Sequence, residues 1–242
     1  MSSTNPAGSA PAAHIQPPAR RPSLRIPAAL LLAGQLLYIV VTFLHAGGAA
    51  NDHHDVFAEY AHSGNWTVVH LGQFTGMAIL LAGLLALYSA LDGPARVTAR
   101  YGAAAAAVTL ALYGALQAVD GIALKQAVTA WASAPDAEKA ARFAGAETVR
   151  WLEWGMRSYQ NVALGLALLL FAAAVARTAR IPRPIAPLMA LSGLTHLVQG
   201  WVVGVEGFSH TESLAIITAY VLDLAWMVWL AVAAWRKPTP GR

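Results

Sequence analysis

Apolar residues along this chain come in long blocks, not at the spacing of a half-buried strand or a surface helix. Six blocks, over 26–44, 66–91, 103–124, 158–176, 184–204 and 213–235, are each close to the ~20 residues an α-helix needs to cross ~30 Å of hydrocarbon. The pattern therefore predicts an all-α polytopic membrane protein, a bundle of six transmembrane helices over residues 26–235. Residues 1–25, rich in Pro, Ala and Ser, read as a disordered cytoplasmic arm, and 236–242 as a cytoplasmic tail. The apolar run of the first block is long for a signal sequence, so it is read as a retained anchor.

Interfacial helices are expected on the outer side. One is short, near 55–62; the other is longer and precedes the fourth span, starting at Pro135-Asp136-Ala137-Glu138. Between Lys125 and Arg157 the sequence reads as the longest loop, with Trp151 and Trp154 near the outer interface. Glu153 and Arg157 have the spacing of an i,i+4 ion pair. Gly72 with Gly76 and Gly200 with Gly204 mark faces where helices approach closely.

Composition agrees with the blocks: 57% of the 242 residues are hydrophobic and 12% charged, about half the charged share of a soluble domain. The chain has no cysteine, which excludes disulfides, thiolate metal sites and cysteine nucleophiles. Its isoelectric point near 9.6 does not signal nucleic acid once the basic residues are placed. Eleven of the sixteen Lys and Arg lie in the arm, the second and fourth loops and the tail, opposed there only by Asp92. The first and fifth loops carry Asp52, Asp55, Glu59, Glu206 and Glu212 instead. That asymmetry predicts an inner (plasma) membrane protein with both termini cytoplasmic.

Candidate chemistry is confined to a few polar residues inside the spans. Asp223 and His196 fall near the middle of the last two spans, where an ionisable group costs several kcal/mol unless it is paired. Spans joined by a short loop are antiparallel neighbours, so these two residues can meet as a proton relay or ligand anchor. Asp120, His70, Gln73, Gln117 and Gln199 lie in the outer thirds. Asp120, His196 and Asp223 are the candidate catalytic or proton-transfer groups; His70, Gln73, Gln117 and Gln199 would orient a ligand, with Trp201 and Trp226 as apolar walls. A second outer cluster comprises His45, His53, His54, Asp55, Glu59, His62 and His70. It contains no HExxH or comparable ligand spacing, so it is read as a histidine-rich solvated loop and no metal site is assigned. Haem between His70 and His196 is disfavoured by their different depths. No cofactor is specified by the sequence.

The runs Leu116-Gln117-Ala118-Val119-Asp120-Gly121, Arg150-Trp151-Leu152-Glu153-Trp154-Gly155 and Trp66-Thr67-Val68-Val69-His70-Leu71-Gly72-Gln73-Phe74 resemble segments of uncharacterised multi-pass membrane proteins from actinobacteria and related bacteria. The resemblance covers most of residues 26–235. It implies a bacterial inner-membrane location and, for want of an assigned activity in that family, transfers no catalytic residue.

Three functions fit the pattern. The first is a membrane-embedded binding or catalytic pocket for a small lipophilic molecule, opening outward between spans two, three, five and six. The second is proton- or ion-coupled transport, which the almost wholly apolar inner halves of spans two to four disfavour. The third is a non-catalytic assembly partner, with glycine faces docking another membrane protein. The lipid bilayer is the one partner common to all three. The topology is tested by reporter fusions: a C-terminal reporter is expected to be active only in the cytoplasm, and an external signal defeats the six-span arrangement.

Overall fold

The computed structural model describes residues 23–47 and 51–236. Most of the expected arm and nearly all of the expected tail lie outside these residues. The described helices are α1 (Arg25–Thr42), α2 (His53–His62), α3 (Trp66–Ala90), α4 (Gly93–Ala118), α5 (Lys125–Ala132), α6 (Asp136–Val175), α7 (Ile185–Glu206) and α8 (His210–Trp235). A single π-helical turn, Val119–Leu124, joins α4 to α5, so the two run as one 40-residue helix. Six of these helices are long and apolar enough to cross a membrane, as the block pattern predicts.

Helix ends follow local chemistry. The Asp52 carboxylate accepts from the backbone N–H of His54 and Asp55 at the start of α2, and Ser209 Oγ accepts from Glu212 N at the start of α8. The α7 helix stops at Gly207, whose φ of +69° suits a residue without Cβ. The Trp154 ring also lies against it; a Cβ there would sit 2.6 Å from Cζ2.

The region expected to be the longest loop is almost entirely helical. Only 133–135 interrupts it. With no Gly or Pro between Lys125 and Ala132, helix propagates outward from span three; Pro135 then starts α6 with Asp136 and Glu138 in its first turn. The helix before span four and span four itself are one 40-residue element. Glu153 pairs with Arg150 at 2.6 Å and not with Arg157; the guanidinium groups of both arginines lie over the Phe208 ring, at 4.4 and 5.2 Å from its centre.

The six long helices close into a ring in chain order: α1 packs on α3, α3 on α4, α4 on α6, α6 on α7, α7 on α8, and α8 on α1. Consequently α3–α4 and α7–α8 face each other across the ring, separated by α1 on one side and α6 on the other. Tyr38, Tyr113 and Tyr220 meet edge-on near its centre, at 6.1 and 6.2 Å between ring centres. The basic loops share one end: Arg25 Nε donates to Ala234 O, Arg177 to Thr98 Oγ1 and Arg180 to Ala90 O. At the opposite end Asn51 Nδ2 donates to Glu206 O, and Phe208 N donates to Asn51 Oδ1. Apolar side chains such as Val68, Trp201, Ile217 and Val221 stay exposed on the outward faces, as lipid contact requires.

Backbone-to-backbone approach holds two of the crossings. A Cβ on Gly34 of α1 would sit 2.7 Å from Gly76 O of α3, and one on Gly76 would sit 2.8 Å from Tyr38 N. Gly165 of α6 and Gly193 of α7 face each other in the same way, at 2.7 and 2.9 Å from each other's carbonyl oxygen. Gly200 and Gly204 continue that seam against Ser158. Gly165→Ala and Gly193→Ala should therefore each lower stability by about 1–3 kcal/mol through overpacking. Gly145→Ala, exposed on α6 with nothing near its Cβ position, should instead stabilise by about 0.5–1 kcal/mol. Melting in mild detergent checks the contrast, and a neutral Gly193→Ala refutes the packing account.

Candidate functional site

Two histidine–aspartate pairs occupy different parts of the ring. The first joins α7 to α8: His196 Nε2 lies 3.2 Å from Asp223 Oδ2, as the sequence spacing anticipates. Ser192 Oγ and Trp226 Nε1 both donate to Asp223 Oδ1, the indole at 3.2 Å. Nε2 of His196, donating to Oδ2, completes the set, while its Nδ1 lacks a protein partner. The carboxylate then receives three donors. Burial of an acid in a membrane bundle is tolerable on those terms. The adjoining cavity, lined by Gln35, Tyr38, Tyr220 and Met227 among others, has a volume of only about 20 Å3.

The second pair joins α3 to the π-helical turn: His70 Nε2 lies 3.2 Å from Asp120 Oδ2, both residues 3% exposed. Here His45, from the loop after α1, adds its own Nε2 at 3.3 Å from that of His70. The sequence placed His45 and His70 in one outer cluster but kept Asp120 apart from it. The missing signal was the π turn, which shifts Asp120 around the helix relative to a regular α register. That turn is fixed from α3. Trp66 Nε1 donates to the carbonyls of Asp120 and Gly121, at 3.3 and 3.1 Å, and the absent Cβ of Gly121 leaves room for His70, whose Cβ would otherwise be 2.9 Å away.

Aromatic rings surround this cluster. The Trp66 ring stacks on His70 at 4.3 Å, and Tyr60 packs on both Trp66 and His45. Burial holds the His45 imidazole well below the ordinary histidine range, down to about 4, with the opposing pull of the Asp120 carboxylate too weak to restore it. His45 is therefore neutral at physiological pH. Lys125 braces the assembly from below: its Nζ donates to the carbonyls of Tyr60, Ala61 and Ser63 at 2.6, 2.9 and 3.0 Å, closing the C-terminal end of α2.

A lateral cleft of about 350 Å3 opens between α3 and α4 beside His70. Its walls are Leu71, Phe74, Ala118 and Ile122, with Thr67, His70 and Gln117 the polar groups among its lining residues. The buried Oε1 of Gln117 has no protein partner. The remaining expected site residues are dispersed. Gln73 donates to Thr42 Oγ1 at 3.3 Å, and Gln199 to Glu212 Oε1 at 3.3 Å. Trp226 is buried against Asp223, whereas Trp201 is 72% exposed on the outer surface and walls neither site. The single pocket expected between spans two, three, five and six resolves into two sites, because those span pairs lie across the ring from each other.

The inner pair gives a direct test. Asp223→Ala strands Ser192, His196 and Trp226 together, and losing one partner of such a buried set should cost about 3–5 kcal/mol. Asp223→Asn keeps an oxygen for Ser192 and Trp226 and should cost distinctly less. Unfolding in mixed detergent measures both; equal losses show that the pair contributes no specific stability.

The chain matches no protein-family model, no curated protein and no solved structure.

Proposed function

We propose that this integral membrane protein binds a small lipophilic molecule in the cleft between α3 and α4, with His70 and Asp120 at its polar end. The supporting observation is the cleft itself. A volume of about 350 Å3 falls in the usual range for small-molecule sites, which are mostly apolar with a few placed polar groups. Gln117 is one of the cleft's lining residues and its buried Oε1 has no protein partner, which leaves an acceptor free for a hydroxyl or N–H on an otherwise apolar ligand. His70 borders the cleft at that polar end, with Asp120 behind it holding the ring through Nε2. Lateral opening suits a molecule that partitions into the bilayer before it binds.

The His196–Asp223 pair has a different part in this reading. Its 20 Å3 cavity has room for about one water, so it cross-links α7 to α8 and holds a proton without contacting a ligand. Transport fares worse, since the two pairs lie on opposite sides of the ring and apolar residues fill the inner halves of α3 and α4. The basic end carrying Arg25, Arg177 and Arg180 faces the cytoplasm of a bacterial plasma membrane in this proposal.

Gly114→Leu provides the test. An added Cβ there meets only Phe74, at an ordinary 3.7 Å, so the new side chain fills the cleft without displacing backbone. Protein purified in mild detergent should carry a lipophilic molecule identifiable by mass spectrometry of its organic extract. Gly114→Leu should lower its occupancy about tenfold, equivalent to losing about 1.4 kcal/mol of binding, while Asp223→Asn leaves it unchanged. An extract holding only bulk phospholipid, or occupancy indifferent to Gly114→Leu, overturns the reading.

A further inference from the structure

The outer cluster has an excess of acceptors. His45 Nδ1 lies 2.6 Å from Ala46 O, and His70 Nδ1 lies 2.8 Å from Trp66 O. A carbonyl oxygen only accepts, so both imidazoles carry a proton on Nδ1. In their neutral forms, both Nε2 atoms then present lone pairs, and these point at each other across 3.3 Å. The third group is a carboxylate, with Oδ2 at 3.2 Å from His70 Nε2 and a buried Oδ1 that has no partner. Three acceptors facing one point repel unless a cation or an added proton sits among them.

The geometry points to the cation. We propose that His45 Nε2, His70 Nε2 and the Asp120 carboxylate form a three-ligand site for a divalent transition metal of the zinc class, with a fourth position open. Zinc bound at about 2.0–2.1 Å in tetrahedral geometry places its ligand atoms about 3.3–3.4 Å apart. Here Nε2 of His70 lies 3.3 Å from Nε2 of His45 and 3.2 Å from Oδ2 of Asp120, and one atom from each residue lies within 4.8 Å of the others. Octahedral ligation at similar bond lengths would draw adjacent ligands to about 3.0 Å. Two imidazoles and one carboxylate with a vacant position is also a donor set that zinc uses when it binds a further ligand.

The surroundings are those of a built ligand set. Metal-bound histidines almost always give their second ring N–H to a carbonyl or carboxylate, fixing tautomer and ring orientation. Here both do so to backbone carbonyls. Asp120 is aimed by a π turn that costs regular helix bonding and is held in place by the Trp66 indole. The nearby Arg150 guanidinium is engaged with Glu153, so the Asp120 carboxylate is left to the cluster. This site stands whether or not the cleft holds a lipophile, because none of its three ligands depends on that occupant.

The competing arrangement is a second proton on His70, donated from Nε2 to Asp120 and His45. Full-length protein in detergent, stripped with chelator and titrated with zinc alone, separates the two. One equivalent of zinc should bind and raise the melting temperature. His45→Gln, on the loop after α1, and Asp120→Asn, similar in shape, should each weaken binding by more than the ~10–100-fold typical of outer-shell changes. His62→Gln, on the exposed face of α2, should leave it unchanged. Cobalt(II) in place of zinc should give the visible absorption of a tetrahedral centre. Wild-type protein that takes up no more zinc than a folded His45→Gln variant overturns the proposal in favour of the shared proton. So does binding that is lost in His62→Gln.

Discussion

Close contact between glycine backbones is the constraint on which the ring depends. Lipid offers no hydrophobic gain when apolar helices associate, so packing must come from complementary shape. Gly34 with Gly76, and Gly165 with Gly193, bring α1 onto α3 and α6 onto α7 at carbonyl-contact distance. The α4–α6 interface is packed nearly as closely, whereas α8–α1 is loose and α3–α4 and α7–α8 are two further looser interfaces. It is in those two looser interfaces that the titratable pairs are found, His70–Asp120 in one and His196–Asp223 in the other. Tight seams make the scaffold; the polar chemistry occupies what they leave open.

Much of the fold was readable because membrane helices announce themselves by length and composition. The six spans and the short α2 near 55–62 needed only hydropathy and turn residues. The joined identity of α4, the π turn and α5 was not readable, because an alanine-rich polar stretch after an apolar one has no local signal separating loop from helix. The Glu153–Arg150 pair was missed for a related reason. Spacing permits i,i+3 and i,i+4 partners equally, and both arginines also lie over Phe208, 55 positions beyond Glu153, so nothing local to Glu153 distinguishes them.

At the sites, the contact of His196 with Asp223 followed from antiparallel neighbours and depth. Ser192 could have been found as well, four residues before His196 on the same face. The site of His45, His70 and Asp120 was only half legible. His45 and His70 flank the first outer loop, so their proximity is local, but Asp120 comes from a distant segment rotated by the π turn, and no periodicity argument based on 3.6 residues per turn delivers it there. Trp201 failed in the opposite sense: a large aromatic in a span is as well suited to lipid as to a pocket, and sequence alone does not say which face it takes.

The two pairs use the same residue types and differ in the balance of donors and acceptors. Around Asp223, a hydroxyl, an indole and an imidazole all point protons at one carboxylate, which is thereby satisfied, and only the far Nδ1 of His196 lacks a protein partner. Around Asp120, two imidazoles spend their protons on backbone carbonyls and turn lone pairs toward a carboxylate that retains a free oxygen. A complete set adds stability and specificity of packing. An acceptor-rich set in a ring-lined, largely dry corner is unsatisfied until something positive enters, and in low dielectric that deficit is expensive. The difference was made by where the Nδ1 protons go, a matter settled by Ala46 and Trp66 carbonyls that belong to no motif. The unbalanced acceptors are therefore concentrated at the N-terminal end of α3, where backbone geometry leaves the hydrogen bonding unfinished.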